Sequence, residues 1–139
     1  MNKVAIVIPV YQGHLNHIKK LLDSFNEHNK KYADLFFVFC DKKNEKIFSD
    51  LDCKDWTGIV IEESLNASSL LDLGFSGAYV TFKKFYGLDF VQKNFNYEYS
   101  ICIDSESIFI DLKNIYSICK KFNEEKFVYG GSSDSLKSR

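Results

Sequence analysis

Apolar positions along the chain fall into short continuous runs, separated by stretches in which they recur every three or four residues. Val4 to Val10 is one such run, rich in β-branched residues, and Leu35 to Cys40, Thr57 to Ile61 and Tyr99 to Ile103 are three more. A continuous run of this length predicts a strand covered on both faces, as in a parallel sheet, because a strand with one wet face alternates. Ser107 to Ile110 reads as a short extension of the fourth strand, and Lys126 to Tyr129, stopped by Gly130-Gly131, as a fifth. From His14 the period changes: Leu15, Ile18, Leu21, Leu22 and Phe25 form one stripe of an amphipathic helix, with Lys19, Lys20, Asp23 and Glu27 opposite. A shorter, mostly polar helix is predicted over Lys42 to Leu51, and Ser64 to Gly77 reads as a loop with a short helical piece. Phe82, Phe85, Tyr86 and Phe90 mark a further helix, which Gly87 weakens by about 1 kcal/mol relative to Ala. Asp111 is placed to cap the last helix, whose apolar stripe is Leu112, Ile115, Tyr116, Cys119 and Phe122.

Strands alternating with helices predict an α/β fold, a mostly parallel sheet with right-handed crossovers and helices on both faces. Ligands of such sheets bind at the carboxyl ends of the strands, near a switch in strand order. The distinctive polar residues of this chain collect at those ends: Tyr11-Gln12 after the first strand, Asp41 after the second, Glu62-Glu63 after the third, Asp104 and Glu106 after the fourth. In an extended chain Asp104 and Glu106 point the same way. Two carboxylates so placed repel unless a cation sits between them, and oxygen ligands suit Mg²⁺ or Mn²⁺. The bland readings stand beside this one. Asp104-Ser105 at a strand exit is also a turn or cap signal, Asp41 a helix cap, and Glu62 and Glu63 surface acids.

Composition narrows the class. The 139 residues suit one domain, here 1–131, with a polar flexible tail over 132–139. The 45% hydrophobic and 27% charged fractions are those of a soluble globular protein. A net charge of −1 argues against nucleic acid as partner, and the lysine pairs at 19–20, 42–43, 83–84 and 120–121 read as solvated helix faces. No apolar run approaches the roughly 20 residues of a membrane span. Met1-Asn2-Lys3 and the apolar run after it look superficially like a leader, but Pro9 and Tyr11-Gln12-Gly13-His14 follow without a small-residue cleavage site. Cys40, Cys53, Cys102 and Cys119 show no CxxC spacing, so reduced thiols in a cytosolic protein are expected. The three histidines all fall between positions 14 and 28, which argues against a zinc site.

Three motifs in order give the chain a family likeness. Val4-Ala5-Ile6-Val7-Ile8-Pro9-Val10-Tyr11 resembles the first strand and "IPVYN"-like exit of GT-A glycosyltransferases, with Gln12 in place of the usual Asn. Ile103-Asp104-Ser105-Glu106 resembles the family's D-x-D motif in a D-x-E form, and Phe127-Val128-Tyr129-Gly130-Gly131 its "vvGG"-like strand. The likeness spans Val4 to Gly131 as a scattered pattern. It implies a Rossmann-like nucleotide-diphospho-sugar transferase fold in truncated form, and a metal-dependent transfer of a sugar from a nucleotide-diphosphate donor to a glycan or lipid-linked acceptor, in polysaccharide or glycoconjugate assembly. It further implies that Asp104 and Glu106 hold Mn²⁺ or Mg²⁺ against the donor diphosphate, with Glu106 the more direct ligand. Pro9 and Tyr11 would border the nucleotide, Asp41 would lie near the base, and Lys83, Lys84 or Tyr86, Lys84 foremost, would approach the diphosphate or ribose. For these helix residues an ordinary exposed surface is the competing reading. A cytoplasmic location, at most peripheral to the inner face of the membrane, goes with this class.

The chain also departs from the family. The portion that usually follows, binds acceptor and supplies the catalytic base has no counterpart here, so no base can be named. A partner chain or a missing C-terminal part would have to supply it, or the chain is a non-catalytic nucleotide-sugar-binding remnant. A receiver-like module lacks support because the first strand exits into Pro9-Val10-Tyr11 rather than acids, and no P-loop or GxGxxG occurs.

Overall fold

The most buried stretch of the protein is Val4–Pro9, strand β1, in which all six residues are shielded from solvent. In the computed structural model, which describes residues 2–51, 55–67, 69–74 and 76–124, β1 is flanked on both sides. Strand β2 (Asp34–Phe39) pairs with it on one side and β4 (Tyr99–Cys102) on the other, while β3 (Trp56–Val60) pairs with the outer edge of β2. All three pairings are parallel, and the order is β3-β2-β1-β4. Val7 is the partner of Phe36 on one side and Cys102 on the other. The amides of Val10, Ile61 and Ile103 extend the ladder past the ends of their strands, to Val38, Phe39 and Val7 respectively. The four runs of the sequence are therefore four strands, with boundaries shifted by a residue.

Side chains of each run part to opposite faces, the two-residue period of an extended chain. Val4, Ile6 and Ile8 of β1 join Leu35, Phe37 and Phe39 of β2 in one core, with Ile18, Leu21 and Leu22 of α1 (Leu15–Ser24), Phe48 of α2 (Lys42–Ser49) and Cys119 of α5 (Ile115–Glu124). Ala5, Val7, Phe36, Val38 and Ile59 face the other way, against Tyr79 and Val91 of α4 (Ser76–Asn94), with Leu70 of α3 (Ser69–Asp72) packed alongside. The parallel sheet covered by helices on both faces is the α/β class that the pattern predicts.

Three expectations are corrected. Helix α4 does not bury the Phe82, Phe85, Tyr86 and Phe90 side as a unit: Phe85 is 67% exposed, and the line buried against the sheet is Tyr79, Lys83, Gly87 and Val91. Gly87 is the reason. A Cβ there would lie 2.5 Å from Val7 Cγ1 and 2.6 Å from Val38 Cγ2, so the bare backbone lets the helix rest directly on β1 and β2. Ser107 to Ile110 is not a strand but part of an irregular connection. Asp111 accepts from the Lys113 amide and so caps the turn ahead of α5 rather than the helix itself, which begins at Ile115. The expected fifth strand, the Gly-Gly stop, the tail and Cys53 lie outside the described residues.

The connection after β4 is fastened along α1. Asn29, fully buried just past that helix, donates to Ser24 O and accepts from the Leu112 amide. Ser24 Oγ accepts from the Phe109 amide, and His28 Nε2 meets Asp111 Oδ1 at 2.8 Å. These contacts hold residues 109–112 against the end of α1 and the turn after it.

Candidate functional site

Strand order runs β1, β2, β3 in one direction, and β4 adds on the other side of β1. The switch therefore lies between β1 and β4, where the connections leave toward opposite faces and a crevice opens at the carboxyl ends. That crevice is a cleft of about 200 Å³. Pro9 and Tyr11 line it from the β1 exit, His14 from the short 3₁₀ turn Gln12–His14, and Asp104, Ser105 and Glu106 from the β4 exit. Val80 and Lys83 close it from α4.

Lys83 is the unusual member. It is only 2% exposed, and its Nζ donates to Val10 O at 3.2 Å and lies 4.6 Å from the centre of the Tyr79 ring. Among the described residues no carboxylate lies within ion-pair distance of it. Burial pushes its pKa down from the ordinary lysine value, and the neighbouring Cys40 opposes this in part. A buried ammonium held by one carbonyl and flanked by two aromatic faces, Tyr79 and, at 5.7 Å, Tyr11, and lining a cleft, has donor capacity left for an anion.

Asp104 to Ser107 is a turn, closed by the Ser107 amide on Asp104 O at 3.1 Å. The extended geometry in which both acids point one way is therefore not adopted, and the two carboxylates have different partners. Asp104 Oδ1 pairs with Lys84 Nζ at 2.8 Å, whereas Glu106 Oε1 lies 3.7 Å from His14 Nε2. Ser105 between them is buried, its Oγ 2.5 Å from His14 Nδ1. His14 Nε2 also meets the Tyr11 hydroxyl at 2.8 Å, with the two rings 4.1 Å apart.

The remaining sequence candidates fall around this core. Asp41 caps α2: its Oδ1 accepts from the Asn44 amide at 2.8 Å, and that bond lowers its pKa below the ordinary carboxylate value. It stands at the β2 exit, outside the residues lining the cleft. Lys84 reaches the rim through Asp104, and Tyr86 is half-buried in the packing of α4 on the sheet. Glu62 and Glu63 are exposed, as surface acids. Pro9, Tyr11, Asp104 and Glu106 are thus brought together, Lys84 joins at one remove, and Asp41 stays apart.

Four residues of the site carry weak signals in the sequence. Lys83 looks like one of a surface lysine pair, and only its place in the Tyr79-Lys83-Gly87-Val91 line marks it as inward. Ser105 is hidden between two acids. His14 and His17 do carry a signal, a pair one helical turn apart beside a strand exit. Their third neighbour, Glu106, comes from the β4 exit, distant in sequence: a ligand atom of each lies within 4.8 Å of the others.

A larger cavity, about 330 Å³, opens at the opposite ends of the strands, beside Asp34, Trp56, Phe95 and Tyr97. Its acid is engaged structurally, since Asp34 accepts from Tyr97 Oη at 2.6 Å and from the Asn2 side chain at 2.8 Å. The chemistry and the switch point coincide at the other rim.

No protein-family model matches the chain, and no curated protein matches it in sequence. Among solved structures, it aligns with the crystal structure of S. aureus TarS 1-349 at 15% identity and a TM-score of 0.48, over 89% of this chain and 33% of that one. The chain spans about a third of that neighbour's length. No helix among the described residues is long and apolar enough to cross a membrane.

Proposed function

We propose that this chain binds a nucleotide-diphosphate sugar in the cleft between the β1 and β4 exits and is the donor-binding part of a glycosyltransferase. The observation that carries this reading is Lys83, a buried ammonium lining the switch-point crevice with no carboxylate among the described residues paired to it. A diphosphate is the ligand chemistry that would complete its hydrogen bonds. The likeness of Val4 to Tyr11 and of Asp104-Ser105-Glu106 to GT-A motifs favours the same donor class. A cleft of about 200 Å³ is below the ~300–1,000 Å³ of a full ligand pocket, so it suits the diphosphate region, with nucleotide and sugar extending along the rim past Tyr11.

The carboxylates of Asp104 and Glu106 are the right donor type for Mn²⁺ or Mg²⁺, although Asp104 is paired with Lys84 in the free chain. Such an ion supplies neutralisation of the charge that develops on the departing diphosphate. In the transfer, the acceptor hydroxyl oxygen bonds to the anomeric carbon while the bond from that carbon to the diphosphate oxygen breaks. The nucleoside diphosphate leaves with the electron pair, and the hydroxyl proton passes to a base. A second reading, binding without transfer, is favoured by one observation: Asp104 and His14 in the cleft are already partnered, by Lys84 and by Tyr11 and Ser105.

Calorimetric titration of UDP and GDP, with and without Mn²⁺, tests the reading on the intact chain, Lys83→Met and Asp104→Ala/Glu106→Ala. Loss of one charge-assisted contact, worth ~1.5–3 kcal/mol, predicts a rise in Kd of about 10- to 100-fold in Lys83→Met. Equal affinity in the intact chain and Lys83→Met, or no affinity for either nucleotide, would sink the proposal. Donor hydrolysis on the same samples separates transferase from binder.

A further inference from the structure

The cluster of His14, His17 and Glu106 is the second feature of the cleft, and the nucleotide reading draws on its carboxylate but not on its two histidines. We infer that these three side chains form a binding site for a borderline transition-metal ion, such as Zn²⁺ or Co²⁺, in the chain without nucleotide. The set is two imidazoles and one carboxylate, with one ligand atom of each within 4.8 Å of the others. His14 Nε2 and Glu106 Oε1, 3.7 Å apart, already have a separation that one ion can bridge. Closing the set around an ion at ~2.0–2.2 Å asks for rotation of His17 and Glu106, both exposed side chains on the cleft margin. Tyr11, 43% exposed, would yield the position its hydroxyl holds at His14 Nε2.

Two features preorganise the set. The buried Ser105 hydroxyl holds His14 Nδ1, which leaves Nε2 to face the ion once the ring carries its proton on Nδ1. A second partner of this kind, fixing the tautomer and ring orientation of a ligating histidine, is what metal sites use. The connection that carries Glu106 is in turn fastened to α1 by Ser24 and Asn29, so the histidine-bearing helix and the carboxylate-bearing turn are held in register. The metal class follows from the ligands. Imidazole suits Zn²⁺, Cu²⁺, Fe²⁺ and Ni²⁺, whereas Mg²⁺ prefers oxygen alone. Asp104 is turned away to Lys84 and does not belong to the set.

Three protein ligands leave a coordination position open. The site borders the same cleft as Lys83, so an oxygen of a bound phosphate is the chemistry that would fill that position. This last step rests on the nucleotide reading; the metal site itself does not.

The test is calorimetric titration of the intact chain, free of nucleotide, with Zn²⁺, Co²⁺ and Mg²⁺, together with the visible absorption of the Co²⁺ form. One equivalent of Zn²⁺ should bind at least ~100-fold more tightly than Mg²⁺. His17→Ala, at an exposed position compatible with folding, should weaken Zn²⁺ at least ~10-fold, and far more than Asp104→Ala does. Ser105→Ala should weaken it by about 10-fold through the loosened His14 ring, and Co²⁺ should give the intense absorption of a low-coordinate site. Equal affinity for Mg²⁺ and Zn²⁺, no change in His17→Ala, or a larger loss in Asp104→Ala would overturn the assignment. Because no nucleotide is present, failure to bind UDP or GDP leaves this result untouched, and failure here leaves the Lys83 reading to its own titration.

Discussion

Lys83 shows how one residue can set function against stability. Desolvation disfavours its charged form, and a single carbonyl with two tyrosine faces compensates only in part. Its pKa in the folded chain is lowered, so the cost is complete below that lowered value and vanishes as pH rises toward the ordinary 10.5. Lys83→Met should therefore equal or exceed the intact chain in stability at pH 7, by up to ~1–2 kcal/mol, while binding nucleotide about 10- to 100-fold more weakly. Urea unfolding at pH 7 and pH 10 checks this, and the margin should narrow at the higher pH. Asp41 behaves oppositely. Its carboxylate is stabilised by the Asn44 amide and its folded pKa is lowered, so its contribution is present above the ordinary value near 3.8 and lost as pH falls through the folded value. Asp41→Ala should cost about 1 kcal/mol at pH 7, and the gap in thermal midpoint should close in acid. At this scale the sequence is only partly legible. A strand-exit Asp announces a cap by its own chemistry, but a lysine in a helix does not announce which way it points.

At the scale of elements, the strands were readable because burial on both faces leaves a continuous apolar run, a local signature. Helix α4 was not. It carries apolar residues on several sides, and the choice among them fell to Gly87, whose missing side chain lets the Tyr79-Lys83-Gly87-Val91 line approach Val7 and Val38. Two effects compete at that position. Alanine would improve helix propensity by about 1 kcal/mol, but overpacking a close backbone contact typically costs ~1–3 kcal/mol. With the nearest atoms at 2.5 and 2.6 Å and belonging to short, buried side chains of the central sheet, the steric cost wins. Gly87→Ala should lower unfolding free energy by about 1–2 kcal/mol in urea. Because the helix must lift, it should also weaken the donation of Lys83 to Val10 O and reduce UDP affinity. The β4 exit teaches a related lesson. An i, i+2 spacing places two acids together only if the chain stays extended, and here a turn sends Asp104 to α4 and Glu106 to His14 in the 3₁₀ turn before α1.

For the molecule as a whole, the parallel order β3-β2-β1-β4 puts every strand exit on one rim and the switch beside β1. A ligand bound there contacts β1, β4 and α4 at once, so binding should be felt by the whole cooperative unit. UDP with Mn²⁺ at a hundred times its Kd should raise unfolding free energy by about 2.7 kcal/mol, an increase that Lys83→Met cuts to about 0.4–1.4 kcal/mol at the same concentration. Scanning calorimetry at matched ligand concentrations measures it. The sequence by itself determined the α/β class, the four strands and the rim on which polar chemistry gathers, because buried runs and strand-exit residues are properties of neighbouring positions. Only the tertiary structure decided that Lys83 faces inward, that Asp104 and Glu106 part company, and that two histidines at the start of the first helix meet a glutamate of the β4 exit. Those outcomes depend on how closely a helix rests on a sheet and on where a distant turn is fastened, and neither is written in local spacing.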